Sequence, residues 1–137
     1  MNQLENLIAK HAELSDLKSD LKRKVGAELS KHKYSAEFES VFSGDDKLSN
    51  DDVAYGTCGN HAFMAVKILN RDNDGGYGYD EVLHMYACTS CIKARAYKIE
   101  MGFIGTKLGQ IRGAITRVGR KLNKEYKNNE QGNNSSK

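Results

Sequence analysis

Two short spacings constrain this chain more than anything else in it: Cys58-Gly59-Asn60-His61 and Cys88-Thr89-Ser90-Cys91. Each sets two soft donors three positions apart, a separation at which two side chains from one tight turn reach a single tetrahedral ion. Gly59 and Asn60 ease such a turn. The chain has three cysteines, an odd number that does not close a disulfide framework. Thiolates with one imidazole favour zinc over magnesium or calcium, and four protein donors leave no open position for a reactive water. The spacing therefore predicts one structural zinc held by Cys58, His61, Cys88 and Cys91. His84, four residues before Cys88, is the competing histidine. The blander alternative is that the cysteines are ordinary buried apolar residues and His61 is incidental.

A clamp of this kind dictates what should lie between its two halves. His61 and Cys88 are separated by 26 residues, which suits a hairpin that returns the chain to one point. Positions 53–55, 62–69 and 79–87 are short runs rich in aromatic and branched residues. Between the last two lies Asn70-Arg71-Asp72-Asn73-Asp74-Gly75-Gly76, dense in turn formers. This pattern predicts a zinc-clamped β-hairpin over 53–91. A calcium loop at Asp72, Asn73 and Asp74 lacks a glutamate at the distal coordinating position, so a solvated turn is the better reading. The order of knuckle, hairpin and second pair at a helix start resembles the treble-clef zinc finger over roughly 55–97. That resemblance implies the four ligands already named and no particular function, because treble clefs serve nucleic-acid binding, protein binding and nuclease chemistry. An HNH-type nuclease would want catalytic histidines and a second open metal site; His11, His32 and His84 stand in no spacing that supports it.

Both flanks read as helices. Leu4, Leu7, Leu14, Leu21 and Val25 step by threes, fours and sevens, with Leu17 and Leu29 beside the stripe. His11 and Lys18 interrupt this seam, which argues against a long zippered coiled coil. A short second helix is expected over 34–42, followed by a polar connector over 43–52. From position 92 onward, Tyr97, Met101, Ile104, Leu108, Ile111, Ile115, Val118 and Leu122 step by four and three without a miss. That predicts one long helix over 92–127, its stripe packed on Leu7, Leu14 and Leu21. Residues 128–137 are too polar to bury much surface and read as a disordered tail.

Charge is divided along the chain more sharply than its net value of +3 suggests. Positions 37–81 carry ten acidic residues against three basic, whereas 93–127 carry ten basic against two acidic. Gly102, Gly105, Gly109, Gly113 and Gly119 interrupt the last helix, each at a cost of about 1 kcal/mol relative to alanine. At about 100° per residue they share an arc of roughly 120° with Lys98, Arg112, Arg120 and Lys127, with Arg95, Arg117 and Lys124 at its edge. A smooth, positive face of this kind admits a phosphate backbone or an acidic protein surface. The alternatives are a solvated charged face, or helix self-association through Gly105, Gly109 and Gly113 to give a homodimer.

The fold expected from sequence is thus α+β: one zinc-binding domain over 1–127, helical over 1–42, with the clamped hairpin and a long basic C-terminal helix. No nucleophile with a partner base and no phosphate-cradling loop stands out, so the expected function is non-catalytic. The leading reading is a module that engages nucleic acid through Arg95, Lys98, Arg112, Arg117, Arg120 and Lys124. The other reading is a regulator or inhibitor that binds a protein. A short lysine- and asparagine-rich frame with one zinc finger resembles accessory proteins of bacteriophages, some of which block host defence, anti-CRISPR proteins among them. For such a protein the acidic residues Asp45, Asp46, Asp51 and Asp52 would compete for a basic host surface. The odd cysteine count, the absence of an apolar leader and the lack of a membrane-length apolar run point to a reduced cytoplasmic setting, the host cytoplasm if phage-encoded.

Overall fold

A computed structural model describes residues 2–135, and the side chains of 2–130. Six helices appear among them: α1 (Gln3–Leu29), α2 (Ala36–Val41), α3 (Asn50–Tyr55), α4 (Cys58–Asp72), α5 (Tyr79–Tyr86) and α6 (Thr89–Ser135). A 3₁₀ turn spans Gly44–Asp46. No strand forms among the described residues, so the α+β expectation, and with it the clamped β-hairpin and the treble-clef order, is corrected to an all-helical fold. No helix is long and apolar enough to cross a membrane among the described residues. The tail expected over 128–137 is helical as far as Ser135, and positions 136–137 lie outside the described residues.

The segments read as strands are helical for reasons visible in their caps and their buried positions. Thr57 opens α4 with a reciprocal cap: its N–H donates to Asn60 Oδ1 at 2.7 Å and its Oγ1 accepts from the Asn60 N–H. Cys58, Ala62, Ala65 and Ile68 are then buried at steps of four and three, while Phe63, Met64 and Lys67 face solvent. Two of those four core positions are alanines, too small to stand out in a hydropathy pattern, whereas the conspicuous Phe63 and Met64 lie outside the core. In α5, Val82 and Leu83 are buried and Tyr86 packs one turn on. The turn formers between these helices make an interhelical loop rather than a hairpin tip. Asp74, Gly75 and Gly76 all have positive φ, 65°, 85° and 102°, which reverses the chain in three residues. Asn70 closes the loop by accepting from the Tyr77 N–H at 2.8 Å and donating to its carbonyl at 3.1 Å.

The chain divides into two compact units, Leu21–Ile99 and a second made of Met1–Asp20 with Glu100–Lys137. The Leu21–Ile99 unit holds the main core. Phe38 is fully buried at its centre, with the Tyr34 ring stacked on it at 5.5 Å and the Phe42 ring tilted against it at 5.4 Å, in a cluster with Cys58, Ala62, Val82 and Leu83. Ser35 caps α2 by accepting from the Phe38 N–H at 3.0 Å, and its hydroxyl donates to the Tyr86 carbonyl at 2.6 Å. The acidic connector is partly spent on structure: Asp46 pairs with Arg71 at 2.8 Å, and Asp52 forms a capping box with Ser49.

In the other unit the first part of α1 runs beside α6. Their grooves pair Ile8, His11 and Ala12 with Arg112 and Ile115, and Leu4 with Val118 and Leu122, so the two segments are antiparallel. Leu14, Ile104 and Leu108 are buried, and the stripe then opens through half-buried Ile111, Ile115 and Val118 to exposed Leu122. The glycine arc is less uniform than its sequence suggests. Gly102, Gly109 and Gly119 face open space, whereas a Cβ at Gly105 would lie 3.4 Å from Lys18 Nζ.

Candidate metal centre

Three stretches of the Leu21–Ile99 unit converge on one point. After α1 ends, the Lys31 and His32 N–H groups bond back to Glu28 and Leu29, which turns the chain and presents the His32 imidazole. Cys58 is the first residue of α4. Cys88 closes the α5–α6 connector with its carbonyl accepting from the Ile92 N–H at 3.1 Å, and Cys91 sits in the first turn of α6. Cys58 and Cys91 are buried, and His32 and Cys88 are half-buried. Both Cys58 and Cys91 stand in the first turn of a helix, where exposed N–H groups and the positive end of the helix favour thiolates.

The donor atoms lie close enough together to hold one metal ion. His32 Nδ1 lies 3.1 Å from Cys91 Sγ, 3.5 Å from Cys58 Sγ and 3.7 Å from Cys88 Sγ, and the Cys58 and Cys88 sulfurs are 3.9 Å apart. All four lie within 4.8 Å of one another and could hold a metal ion. A tetrahedron with zinc–sulfur bonds of about 2.3 Å and a zinc–nitrogen bond of about 2.0 Å has S···S edges of about 3.8 Å and S···N edges of about 3.5 Å. The three S···N separations and the Cys58–Cys88 separation lie within about 0.4 Å of those values. The Cys91 N–H donates to Cys88 Sγ at 3.4 Å, the kind of backbone support that holds a ligand thiolate in place.

The neighbourhood perturbs the thiols in opposite directions. Hydrogen bonds from Cys58, and further ones from Cys88 and His32, pull Cys91 well below an ordinary thiol, while the hydrogen bond to Cys91 and burial push Cys58 up. A divalent ion among the three sulfurs would offset the repulsion between neighbouring thiolates. Tyr34 walls the site, its ring edge-on to His32 at 4.4 Å and its hydroxyl donating toward the Asp52 and Thr57 carbonyls at 3.4 Å. Burial, and then the nearby Cys58 and Cys91, push its phenol up to about 12. His32 Nε2 is buried with no hydrogen-bond partner among the described residues.

Three of the four ligands expected from sequence are therefore brought together, and the histidine beside them is His32 rather than His61. His61 lies one turn into α4 but points elsewhere: its Nε2 donates to the Asp52 carbonyl at 3.3 Å, and its ring lies among those of Tyr34 and Phe42. Gly56 makes room for it, because a Cβ there would run into the imidazole and the Asp52 carbonyl. His84 is exposed on α5 and donates to the Asp80 carbonyl at 2.7 Å. His32 stands 26 positions before Cys58, in no metal-binding spacing, and carried no local signal in the sequence.

The expected basic contacts divide between the units. Arg95 is engaged already, its Nε 2.9 Å from Asp80 and its guanidinium over the Tyr79 ring. Lys98, Arg112, Arg117, Arg120 and Lys124 are exposed on α6, and no carboxylate partner is found for them among the described residues. The Leu21–Ile99 unit is neutral by count, with eleven basic and eleven acidic residues, so the net charge of +3 belongs to the other unit. Comparison of the chain with protein-family models, curated proteins and solved structures finds no match.

Proposed function

We propose that this chain is a zinc-binding module in which one closed centre, His32, Cys58, Cys88 and Cys91, fastens the α1–α2 connector to the starts of α4 and α6. The carrying observation is that donors from three separated stretches converge to within 4.8 Å of one another, close enough to share one ion. Three thiolates and an imidazole select a soft ion, and with all four positions taken by protein the ion acts as a structural element. The reading is non-catalytic. Protein refolded in zinc should retain one zinc per chain by elemental analysis, and chelation should unfold the Leu21–Ile99 unit. Folded protein that holds no zinc and resists chelators would overturn it.

The partner favoured by the charge distribution is nucleic acid. Arg112, Arg117, Arg120 and Lys124 are exposed on the unit that carries the excess charge, with no carboxylate partner among the described residues. If those four neutralise four duplex phosphates, log affinity should fall with log salt at a slope of about −3.6, at about 0.9 per phosphate. A second reading, a protein partner as for a regulator or inhibitor, is favoured by a different observation. On the same unit Phe103 and Tyr126 are 68% and 67% exposed, with Ile8, Leu17 and Leu122 also open. Two helices alone leave such residues to solvent, and a partner surface would cover them. Binding that is tight but nearly indifferent to salt would favour that reading.

A further inference from the structure

A polar cavity in the Leu21–Ile99 unit, about 140 Å³ in volume, opens beside the cysteines. Its walls include Thr57, Gly59 and Asn60 from the start of α4, Tyr79 from α5, and Arg95 and Lys98 from α6. That volume is several water molecules, enough for a tetrahedral oxyanion such as a phosphate group. Asp80 offsets much of the Arg95 charge through its 2.9 Å contact with Nε, which leaves Lys98 as the cation at the cavity that nothing neutralises among the described residues.

An exposed aromatic surface adjoins this cavity. Phe63, one turn along α4 from Gly59, is 65% exposed, yet its ring is not loose: it packs on Tyr79 with centroids 4.5 Å apart and planes 35° from parallel. Tyr79 is fixed in turn. Its hydroxyl donates to the Gly59 carbonyl at 3.1 Å, and the Arg95 guanidinium lies over its ring at 5.3 Å. Tyr79 thus belongs both to the cavity wall and to the aromatic pair. The cation-lined polar cavity and the solvent-facing Phe63 ring therefore share Tyr79 as a common wall. Apolar shielding does not account for Phe63, since its outer face covers nothing; stacking a planar ring would use it.

We propose that this corner binds one nucleotide unit, with its phosphate in the cavity at Lys98 and its base stacked on Phe63. Base pairing would hide the stacking face, so the ligand is a free nucleotide or a nucleotide of a single strand. For the polymer, the proposal rests on the nucleic-acid reading above, but it uses a different surface from Arg112, Arg117, Arg120 and Lys124.

The chain has no tryptophan, so Phe63→Trp places a single reporter fluorophore on the platform without disturbing buried residues. Titration of the zinc-loaded full chain with adenosine monophosphate and with a ten-nucleotide single strand should quench this tryptophan saturably. Quenching by both points to the free nucleotide as sufficient, and quenching by the oligonucleotide alone points to the polymer; either supports the site. In the wild-type background, Phe63→Ala should weaken single-strand binding by about fivefold to 150-fold, the range expected for one stacked base. Lys98→Ala should flatten the salt slope by about one phosphate. Phe63→Tyr should restore binding, which a merely disturbed fold would not allow. An unquenched tryptophan, or single-strand affinity unchanged within twofold in both Phe63→Ala and Lys98→Ala, overturns the proposal. If binding in that case is still abolished by Arg117→Glu with Arg120→Glu, the nucleic-acid reading survives and only this site fails.

Discussion

Replacing His32 by alanine, with His61→Ala as its counterpart, tests which histidine completes the centre. Structural zinc in small peptides is bound with about 10–16 kcal/mol at neutral pH, so an equal share for each of four donors is about 2.5–4 kcal/mol. Losing one donor should then weaken zinc binding by about 70-fold to 900-fold. The buried His32 Nε2 tilts the expectation toward the lower end. A metal on Nδ1 leaves the proton on Nε2, and that N–H has no acceptor among the described residues, which offsets part of the ligand's contribution. A loss of about a hundredfold is therefore expected. His61→Ala removes only a partly exposed 3.3 Å hydrogen bond and ring contacts more than 6 Å between centroids, so zinc affinity should stay within about threefold. Competition against a chromophoric chelator measures both affinities. Cobalt substitution gives an independent reading, because its ligand-field and thiolate charge-transfer bands distinguish three sulfurs with an imidazole from three sulfurs with water. If His32→Ala keeps its affinity within threefold while His61→Ala loses it a hundredfold, the fourth donor is His61 and the reasoning from the α1–α2 connector fails.

Leu108→Asp, at a side chain only 5% exposed, should destabilise the unit formed by α1 and α6 by several kcal/mol, whereas Arg120→Ala should stay within about 0.5 kcal/mol. Thermal unfolding followed by circular dichroism checks this, and equal midpoints would mean that the helix faces are misassigned. Tyr34 sets an alkaline limit: burial, and then the nearby Cys58, Cys91 and Asp52, raise its phenol from 10.0 to about 12, so the folded state favours the neutral form. That contribution is complete below pH 10 and is lost as pH rises toward about 12, so urea-unfolding midpoints should fall across that window. Tyr34→Phe, which cannot ionise, should lessen the fall, and an identical pH profile would refute the assignment.

What the sequence determined by itself was the chemistry and the longest periodic element. Three cysteines in two x-x spaced contexts have few uses in one small chain, and Cys58, Cys88 and Cys91 do meet within reach of one ion. The unbroken stepping from Tyr97 to Leu122 belongs to α6, because so many consecutive matches to a 3.6-residue period fit no other element. The central segments were not legible in this way. Segments of eight or nine residues such as 62–69 and 79–87 fit a strand and a short helix equally well, and their aromatic and branched side chains tipped the reading toward strands. What decided between them was packing. Cys58, Ala62, Ala65 and Ile68 form one buried helical face, and small alanines let α4 settle against α2 and α5. The fourth donor was beyond any local reading. His61 had the expected spacing, but α4 carries it toward the Asp52 carbonyl. His32 reaches the thiols only because the turn after α1, the stacked rings of Tyr34 and Phe38, and the Ser35–Tyr86 contact fix the connector in place. Ligand type is a property of residues and survives in the sequence, whereas ligand choice between two histidines depends on where long-range packing leaves each imidazole.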